Sequence, residues 1–470
     1  MIIIEHNTDR KLYFQIYEYY RNEILSGGFE EGRRLPSTRS LAAEAGVSRN
    51  TVETAYQQLE AEGYATAVSR KGYVVKAVEH MPAAEKRISF CASDDTAEED
   101  MINIPGIRYN FQYGRLSAEV FPAETFKRTV NRIMMDTDTI KITGYSSRTG
   151  EPELKEEIAR YIYESRNVCC EADRIVVCSG IFTAISLISQ MFHRKTKAVA
   201  IEEPCYDTVR HIFENNGYII EPVPVTADGI DMGALQKCTA KVIYITPSHQ
   251  FPTGRVMSAA NRIKLLQWAQ KTDAYIIEDD YDSEYRYDIN PISPLQSLDD
   301  YGRVIYLNTF SKALAPALRL GYMVLPAQLK KIYDTKFSHY SCSVPLITQL
   351  AVADFMASGK WTRHLRKAVN INRKKHDVLA NEINTLMGDS TEIIGNNAGL
   401  HFILRVDNGM GEDELMASAR KLGVMVYPVS QYYKSPPEKS SCVLIGFGGM
   451  SVEDIPAGVR LLKEAWFENR

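Results

Sequence analysis

Cysteine is scarce in this sequence, and neither sign of charge dominates it. The eight cysteines among 470 residues include no C-x-x-C pair, so they indicate neither a disulfide scaffold nor a zinc cluster, and we predict no metal site. Lys and Arg number 55 against 59 for Asp and Glu, a formal net charge of −4. The chain as a whole is not basic, so its net charge does not indicate a nucleic-acid partner. Any DNA-binding surface must therefore be local. The low cysteine usage fits a reducing cytoplasm.

Long apolar runs are nearly absent as well. The first residues, Met-Ile-Ile-Ile followed by Glu5, lack the basic region and the length of a signal peptide. One charge-free stretch, Ile175–Phe192, reaches the minimum length of a membrane span. Its internal Ser179-Gly180 instead predicts a short strand, Ile175–Cys178, followed by an amphipathic helix. We therefore expect neither export nor membrane insertion.

The composition is that of a globular protein with several domains. With 45% hydrophobic, 24% charged and 10% aromatic residues, the chain can bury sizeable cores, which excludes a largely disordered or fibrous protein. Its length suggests two or three domains. Changes of pattern divide it into a helical module over 1–76, a flexible linker over 77–107 with few apolar residues, and a larger domain over 108–470.

The first module has the spacing of a winged helix-turn-helix. Apolar periodicity predicts a helix over Leu12–Leu25, and Ser37 and Ser48 are good N-caps for two more, over Thr38–Ala45 and from Arg49 to about Glu62. The Gly-Val-Ser between the second and third helices is typical of a helix-turn-helix. Two short strands, Ala65–Val68 and Tyr73–Val75, flank Ser-Arg-Lys-Gly as a wing.

Basic and polar residues of this module stand where DNA contacts are made. Residues 33–76 hold seven Lys or Arg against four Glu, a local excess of 7 − 4 = +3. Several of them cluster at helix N-termini or on the wing, where phosphates and base edges are met: Arg39, Ser48, Arg49, Asn50, Thr51, Arg70, Lys71 and Gly72. On spacing alone, the alternative remains open that the module is a solvated, charged helical pair used for protein contacts.

The larger domain alternates strands with helices. Strands are predicted over Lys197–Ile201, Val242–Thr246, Ala274–Glu278 and Val304–Asn308, with helical stretches such as Asn261–Gln270 between them. This alternation is typical of an α/β fold with a mostly parallel central sheet.

Two predicted strands of this domain end on residues suited to an aldehyde cofactor. Lys312 follows one strand, and a lysine amine held in a pocket can form a Schiff base. Asp279 ends another, where it could keep a pyridine nitrogen protonated, and Tyr281 could hydrogen-bond a ring hydroxyl. A lone Ser-Lys is more often an ordinary surface lysine, and an acidic cluster after a strand is more often a cap. It is the pairing of Lys312 with Asp279 that favours a site.

Further residues could hold a phosphate and a flat ring. Ser179, Gly180, Ile181 and Phe182 lie at a strand-to-helix junction whose amides can face an anion. Thr309, Ser311 and Arg319 supply more donors. Tyr206 could stack on the cofactor, although an aromatic residue after a proline is by default packing. Thr246 to Gly254 could line the pocket, and His249 alone reads as a structural loop histidine.

In this order, the motifs resemble two known families. The first module resembles the winged helix-turn-helix of GntR-type bacterial regulators, over nearly all of residues 10–76. The resemblance rests on Leu-Pro-Ser-Thr-Arg from Leu35, Gly-Val-Ser-Arg-Asn-Thr-Val from Gly46 and Glu-Gly-Tyr from Glu62. The segments around Lys312 and Asp279 resemble fold-type I aminotransferases, over roughly residues 108–465. The whole chain is similar to the MocR, or GabR-like, subfamily, which fuses the two.

The resemblance implies roles for these residues. It implies pyridoxal 5′-phosphate as the cofactor, with Lys312 as the Schiff-base lysine, Asp279 at the pyridine nitrogen, Tyr281 at the ring hydroxyl and Tyr206 stacked on the ring. The phosphate would lie at Ser179 to Phe182, Thr309, Ser311 and Arg319. Contacts to double-stranded operator DNA would come from Arg39, Ser48, Arg49, Asn50, Thr51 and the wing residues Arg70, Lys71 and Gly72. A head-to-tail homodimer is also implied.

Two positions depart from the aminotransferase pattern. Phe251 stands where these enzymes usually have the asparagine of Asn-Pro-x-Gly, and Leu444 stands where an arginine for the substrate carboxylate is expected. Arg210, Arg115 or Arg405 could bind a carboxylate instead.

The leading hypothesis is a cytoplasmic transcription regulator that senses an amino compound, or the cofactor itself, at Lys312. The alternative is an active aminotransferase with a DNA-binding appendage, and a third hypothesis is that the first module binds protein.

Overall fold

The computed structural model describes residues 2, 4–5, 10–78, 104–287 and 292–468. The chain forms two compact units, Met1–Glu98 and Glu99–Arg470. Residues 79–103, most of the predicted linker over 77–107, lie outside the described residues, so the linker stays a prediction.

The first unit has three helices and a hairpin, α1 (Leu12–Leu25), α2 (Thr38–Ala45), α3 (Arg49–Ala61), β1 (Ala65–Val68) and β2 (Gly72–Val75). Ser37 and Ser48 cap α2 and α3 by accepting hydrogen bonds from the backbone N–H groups of Ser40 and Thr51. Gly46 ends α2 in the left-handed conformation, at φ 66°, where a side chain would be strained. The predicted helices are confirmed, with α3 ending one residue earlier than expected.

Apolar side chains of all three helices meet in one core. Ile16 and Tyr20 of α1 pack against Val52, Tyr56 and Leu59 of α3, all of them buried. The Tyr56 hydroxyl donates to the backbone oxygen of Pro36, 3.0 Å away, which ties α3 to the segment before α2. The inner stripe of α3 thus holds the helix in place and leaves its opposite face to solvent.

The second unit is built on an eight-stranded sheet in the order β4-β11-β10-β9-β8-β5-β6-β7. Its strands are β4 (Ile175–Cys178), β5 (Ala198–Glu203), β6 (Ile219–Thr226), β7 (Gly229–Ile230), β8 (Val242–Ile245), β9 (Tyr275–Asp279), β10 (Val304–Thr309) and β11 (Gly321–Val324). The pairs among β10, β9, β8, β5 and β6 are parallel, whereas β11 and β7 run antiparallel to their neighbours. The predicted α/β class with a mostly parallel sheet is confirmed.

Helices cover both faces of this sheet, so its strands are buried almost throughout. The helices are α4 (Ala123–Asp136), α6 (Pro152–Arg166), α7 (Ile181–Phe192), α8 (Asp207–Asn215), α9 (Met232–Leu235), α10 (Ala259–Thr272), α11 (Phe310–Ala313), α12 (Ala327–Lys336) and α13 (Leu346–Ala357). A short helix between α4 and α6, α5 (Thr139–Thr143), has no buried residue. The charge-free stretch from Ile175 is a strand and a helix, as predicted. In the described part of the chain, no helix is both long and apolar enough to cross a membrane.

The C-terminal part packs a smaller antiparallel sheet against three helices. The four-stranded sheet has the order β12-β13-β16-β15. Its strands are β12 (Thr391–Ile394), β13 (His401–Val406), β15 (Tyr427–Pro428) and β16 (Cys442–Gly446), and the helices are α14 (Lys360–Met387), α15 (Glu412–Lys421) and α16 (Ile455–Lys463). A separate parallel pair joins β3 (Tyr109–Asn110) to β14 (Val424–Met425).

Candidate functional site

The carboxyl ends of the parallel strands open onto one cavity. Since these ends share one edge of the sheet, the residues that follow them converge there. The cavity has a volume of about 320 Å³. It is lined by Gln112, Tyr113, Gly114, Arg115, Ile181, Phe182, Tyr206, Tyr244, Thr246, Phe251, Asp279, Tyr281, Thr309, Ser311, Lys312, Pro316 and Arg319.

Lys312 reaches the cavity from the short helix that follows β10. Thr309 ends β10 and caps this helix by accepting a hydrogen bond from the Ser311 N–H at 3.1 Å. The Lys312 ammonium lies 4.1 Å from the centre of the Tyr113 ring. Desolvation lowers the pKa of Lys312 to about 8, although the charges of Asp282 and Asp279 oppose the shift. About a tenth of the amine is therefore neutral, and nucleophilic, at pH 7, and about half is neutral near pH 8.

Asp279 lies at the end of β9, and one of its two carboxylate oxygens is hydrogen-bonded within the protein. Its Oδ2 accepts a hydrogen bond from the Tyr244 hydroxyl at 2.6 Å, whereas its Oδ1 is buried and has no hydrogen-bond partner among the described residues. Burial raises the pKa of Asp279 to about 7. A buried, unpartnered carboxylate oxygen is costly unless a donor meets it, so the site suits a cationic N–H group.

The acidic neighbours of Asp279 are satisfied elsewhere. The Glu278 carboxylate accepts the backbone N–H groups of Leu295 and Gln296 at 2.7 and 2.9 Å. Asp280 pairs with Arg166 at 2.8 Å. Burial opposes ionisation of Asp280, but the Arg166 charge outweighs it and lowers the pKa of this carboxyl. Of the three consecutive acids, Asp279 is the one that lines the cavity.

The Tyr281 hydroxyl contacts a buried histidine, which in turn contacts a carboxylate. His249 Nδ1 lies 2.8 Å from Asp282 Oδ2 and 3.1 Å from the Tyr281 hydroxyl. Because an ionised carboxylate only accepts hydrogen bonds, Nδ1 is assigned the proton and donates towards both oxygens. The Tyr281 hydroxyl then keeps its own hydrogen for an acceptor in the cavity.

The N-terminus of α7 and Arg319 lie together at one end of the cavity. Arg319 donates to the backbone oxygen of Ser179 at 3.3 Å, and its guanidinium lies 5.9 Å from the Phe182 ring centre. Gly180 has φ 85°, a backbone conformation that favours glycine, and a Cβ there would come within 2.8 Å of Arg319 Nη2, so a side chain would also displace the guanidinium. Cation and helix terminus together suit a phosphate.

Most of the polar and basic residues predicted to contact DNA are exposed on the first unit. Arg39, Arg49, Asn50, Arg70 and Lys71 are exposed. Ser48 and Thr51 also cap α3, since Thr51 N–H donates to Ser48 Oγ at 3.1 Å. Gly72 is the first residue of β2 rather than part of the turn, and its φ of 79° lets the hairpin close.

Both units match known families. Residues 12–75 match bacterial regulatory proteins of the gntR family, and residues 115–462 match aminotransferase class I and II. The chain is 36% identical to an uncharacterized HTH-type transcriptional regulator of Bacillus subtilis, YdeL, over 98% of both chains. It is 32% identical to the probable rhizopine catabolism regulatory protein MocR of Rhizobium meliloti, over 99% of this chain and 96% of that protein.

The chain belongs to the MocR-type transcriptional regulators. Its fold is similar to that of an archaeal alanine:glyoxylate aminotransferase, with a TM-score of 0.70 and 25% identity over 77% of this chain and 91% of that one. The family and the pyridoxal 5′-phosphate cofactor expected from the sequence are thereby confirmed. The cavity fits this group, because the unpartnered Oδ1 of Asp279 can meet the protonated pyridine nitrogen.

In this MocR-type regulator, most of the residues predicted to bind the cofactor come together. Those that line the cavity are Lys312, Asp279, Tyr281, Tyr206, Ile181, Phe182, Thr309, Ser311 and Arg319. Ser179 and Gly180 contact Arg319 behind the lining. The rings of Tyr206 and Phe182 are stacked, with centres 6.1 Å apart.

The two departures from the aminotransferase pattern are both apolar and buried. The Phe251 ring lies 5.0 Å from that of Tyr113, 5.2 Å from that of Tyr206 and 4.8 Å from that of Tyr432. Leu444 belongs to the same apolar cluster and is fully buried. Aromatic and aliphatic packing thus replaces the two polar groups that the enzymes use.

The structure separates the three arginines considered for an effector carboxylate. Arg115 lines the cavity. Arg210 does not, and it donates to the backbone oxygen of Gln431 at 3.2 Å. Arg405 forms an ion pair with Glu392 on the exposed side of the small sheet.

Sequence reasoning missed Tyr113 and Tyr244, and it treated His249 as structural. Tyr113 lies in a segment with no motif, and Tyr244 is one of the apolar residues of a buried strand and has nothing in the sequence to distinguish it. The strand-end position of His249, a few residues before the Pro-Thr-Gly turn, was the one usable signal, because loops at that edge of the sheet face the ligand.

Proposed function

We propose that this regulator binds pyridoxal 5′-phosphate on Lys312 and uses the site to sense an amino compound, or the cofactor itself. Occupancy of the site changes the DNA contact of the first unit, which reads a double-stranded operator. The regulator works where its DNA target is, in the cytoplasm. A ligand can shift such an equilibrium only through different affinities for the two states.

The observation that carries the proposal is the pairing of Lys312 with Asp279 in one cavity of a chain that also has a GntR-type unit. When bound, the cofactor supplies an aldehyde that can exchange between amines. Lys312 supplies the attacking amine, Asp279 holds the proton of the ring nitrogen, and Tyr281 donates to the ring hydroxyl. Arg319 and Ser311, with the α7 amides, hold the phosphate.

Sensing is favoured over turnover by Leu444 and Phe251. An aminotransferase must hold its substrate carboxylate and the cofactor hydroxyl through each half-reaction, whereas this chain has hydrocarbon at the two corresponding positions. Phe251 lines the cavity, and Leu444 is buried in the apolar cluster that contains Phe251. We assign the effector carboxylate to Arg115, since it alone of the three arginines considered lines the cavity.

A homodimer is part of the proposal. Between α4 and α6, large apolar side chains face solvent, with Met135 88%, Ile140 79% and Tyr145 94% exposed. Such a patch is typical of a protein interface, and the second copy that the family resemblance implies would cover it. Sedimentation of the Ile140→Glu variant tests this. We expect a dimer-to-monomer shift relative to wild type, and an unchanged dimer would contradict the assigned face.

DNA binding by the first unit is tested with the promoter region of the protein's own gene. In a gel-shift titration, the full chain should bind this duplex, and the Arg39→Gln/Arg49→Gln variant should bind at least tenfold more weakly, because each charged contact contributes about 1–3 kcal/mol. Lys264→Gln/Lys271→Gln, which removes the same charge from α10, is the matched control. Equal binding by all three proteins would exclude the proposed surface.

A further inference from the structure

We propose that α14 of the large unit is a second DNA-binding surface, which holds the phosphate backbone of the duplex without reading its sequence. Five exposed cations of this helix form the cationic stripe, Arg363, Arg366, Lys367, Arg373 and Lys374. The inference rests on the proposed DNA binding by the first unit and extends it to the aminotransferase-like unit.

The stripe concentrates positive charge in a chain that is acidic overall. Residues 360–376 hold seven Lys or Arg and no Asp or Glu, whereas the whole chain has a formal net charge of −4. Of these seven, Lys375 is buried and pairs with Glu119 at 2.9 Å. The spacing of the five exposed cations places them along one side of the helix over about 16 Å, at 1.5 Å per residue.

Ion pairing within the protein does not account for the stripe. Among the described residues, none of its five cations forms an ion pair, although Arg373 donates to the backbone oxygen of Arg286 at 3.3 Å. Other helices do mix charges on their exposed faces. In α12, for example, Lys330 and Asp334 pair at 2.6 Å with the usual four-residue spacing.

Keeping these cations together costs stability. Arg363 and Lys367 stand four residues apart, and Arg363 and Arg366 three apart, where like charges destabilise a helix. The first turn of α14 carries no acidic residue, so the positive end of the helix dipole meets more positive charge. An anionic partner would remove this cost.

The geometry fits an extended polyanion rather than a small anion. A groove of about 580 Å³ runs beside the start of α14, lined by Lys360, Arg363 and Lys367. Beyond it, the stripe continues on the open helix surface. Double-stranded DNA carries a charge for about every 1.7 Å of its axis, and lysine and arginine bind it by displacing counterions.

The acidic residues near the stripe do not neutralise it. Glu119 and Glu124 line the same groove. Glu119 is already paired with Lys375, and Glu124 lies 3.8 Å from Lys127. Asp377, beyond the stripe, lies beside His376. The exposed face of the first half of α14 therefore stays positive.

The test is the salt dependence of DNA binding by the full chain. Fluorescence anisotropy with a mixed-sequence 60-base-pair duplex gives the slope of log K against log salt concentration. We expect Arg363→Gln/Arg366→Gln/Lys367→Gln to reduce the magnitude of this slope by roughly 0.9 for each contact removed, up to about 2.7. Lys237→Gln/Lys264→Gln/Lys271→Gln removes three exposed charges from the same unit and should leave the slope at the wild-type value.

The outcomes separate this inference from the proposed function. A wild-type slope in the stripe variant, or an equal loss in the control variant, would overturn the DNA contact of α14 while leaving the first unit's role intact. Failure of the wild-type chain to bind any duplex would overturn both. Should the triple variant fail to fold, judged by its melting temperature, Arg366→Gln alone must reduce the slope by roughly 0.9.

Discussion

Asp279 differs from its two acidic neighbours in what its carboxylate contacts. Glu278 and Asp280 are hydrogen-bonded or paired within the protein, whereas one oxygen of Asp279 has no partner among the described residues. The protein thus holds a costly group at the cavity wall, and the pyridine nitrogen of the cofactor would satisfy it.

Asp279→Asn should therefore weaken cofactor binding. A hydrogen bond to a charged group is worth about 1.5–3 kcal/mol, so we expect the Kd for pyridoxal 5′-phosphate to rise roughly 10- to 100-fold. An absorbance titration of cofactor-free protein measures it. Glu278→Gln is the control, since this equally buried carboxyl, whose pKa burial also raises to about 7, lies outside the cavity lining. A Kd unchanged by Asp279→Asn would contradict the assigned role.

Lys312 leads to a prediction about pH. Only the neutral amine attacks an aldehyde, and its fraction rises as the pH passes upward through the pKa, which desolvation has lowered to about 8. The rate at which the near-visible absorbance appears after adding pyridoxal 5′-phosphate should rise from pH 6 and level off above about pH 8 to 9. A rate that climbs as steeply up to pH 10 as that of a free lysine derivative would show that the cavity does not lower the pKa.

His249 is predicted to be a positioning residue that acts through Tyr281. Its Nδ1 donates to Asp282 and faces the Tyr281 hydroxyl. His249→Leu should change the pH titration of the bound cofactor's absorbance while leaving the covalent link to Lys312 intact. His249→Asn, whose side-chain amide can still donate, should restore much of the wild-type titration. If the Leu variant and the wild type have identical titrations, His249 only packs in the site and does not position Tyr281.

Single residues were predictable where chemistry and strand ends coincide. Lys312 and Asp279 each follow a buried strand, so their types and positions were enough to pair them. Tyr113 could not be found this way, because it reaches Lys312 from a segment more than 190 residues away in sequence that carries no motif. Contacts of this kind depend on the tertiary fold.

At the scale of elements, local capping chemistry predicted the first unit well. The ends of α2 and the start of α3 agree with the sequence expectation, since Ser37, Gly46 and Ser48 encode these boundaries locally. In the large sheet, β4 has the predicted bounds, whereas one or both ends of β5, β8, β9 and β10 differ from the prediction by one or two residues. β9, for instance, extends to Asp279, because its last residues pair in register with β10, and such pairing depends on a partner strand rather than on local sequence.

The caps of α2 and α3 allow a paired prediction. Ser37→Ala and Ser48→Ala should each lower the local free energy of unfolding of their helix by about 1 kcal/mol, because each removes a side-chain acceptor from an N-terminal amide. Hydrogen exchange of the full chain, read over residues 38–45 and 49–61, measures this. If Ser48 also contacts DNA, Ser48→Ala should lose more operator affinity than Ser37→Ala, and equal losses would restrict Ser48 to capping.

For the whole molecule, the sequence predicted the two kinds of fold but not the strand order. The antiparallel insertion of β11 between β4 and β10 has no local signature, yet it brings Gly321 against Gly180 and thus helps shape the end of the cavity where α7 begins. The net charge of the whole chain was also a poor guide to DNA binding. The value of −4 for the chain conceals the basic face of the first unit and the cationic stripe of α14.

The central claim is that DNA recognition responds to the state of Lys312. It is tested most directly by titrating the protein's own promoter duplex with wild type and Lys312→Ala, each with and without pyridoxal 5′-phosphate and a panel of amino compounds. We predict that the wild type shows the near-visible absorbance and a ligand-dependent change in DNA binding, and that Lys312→Ala loses both. If Lys312→Ala keeps both the absorbance and the regulatory response, the claim is wrong.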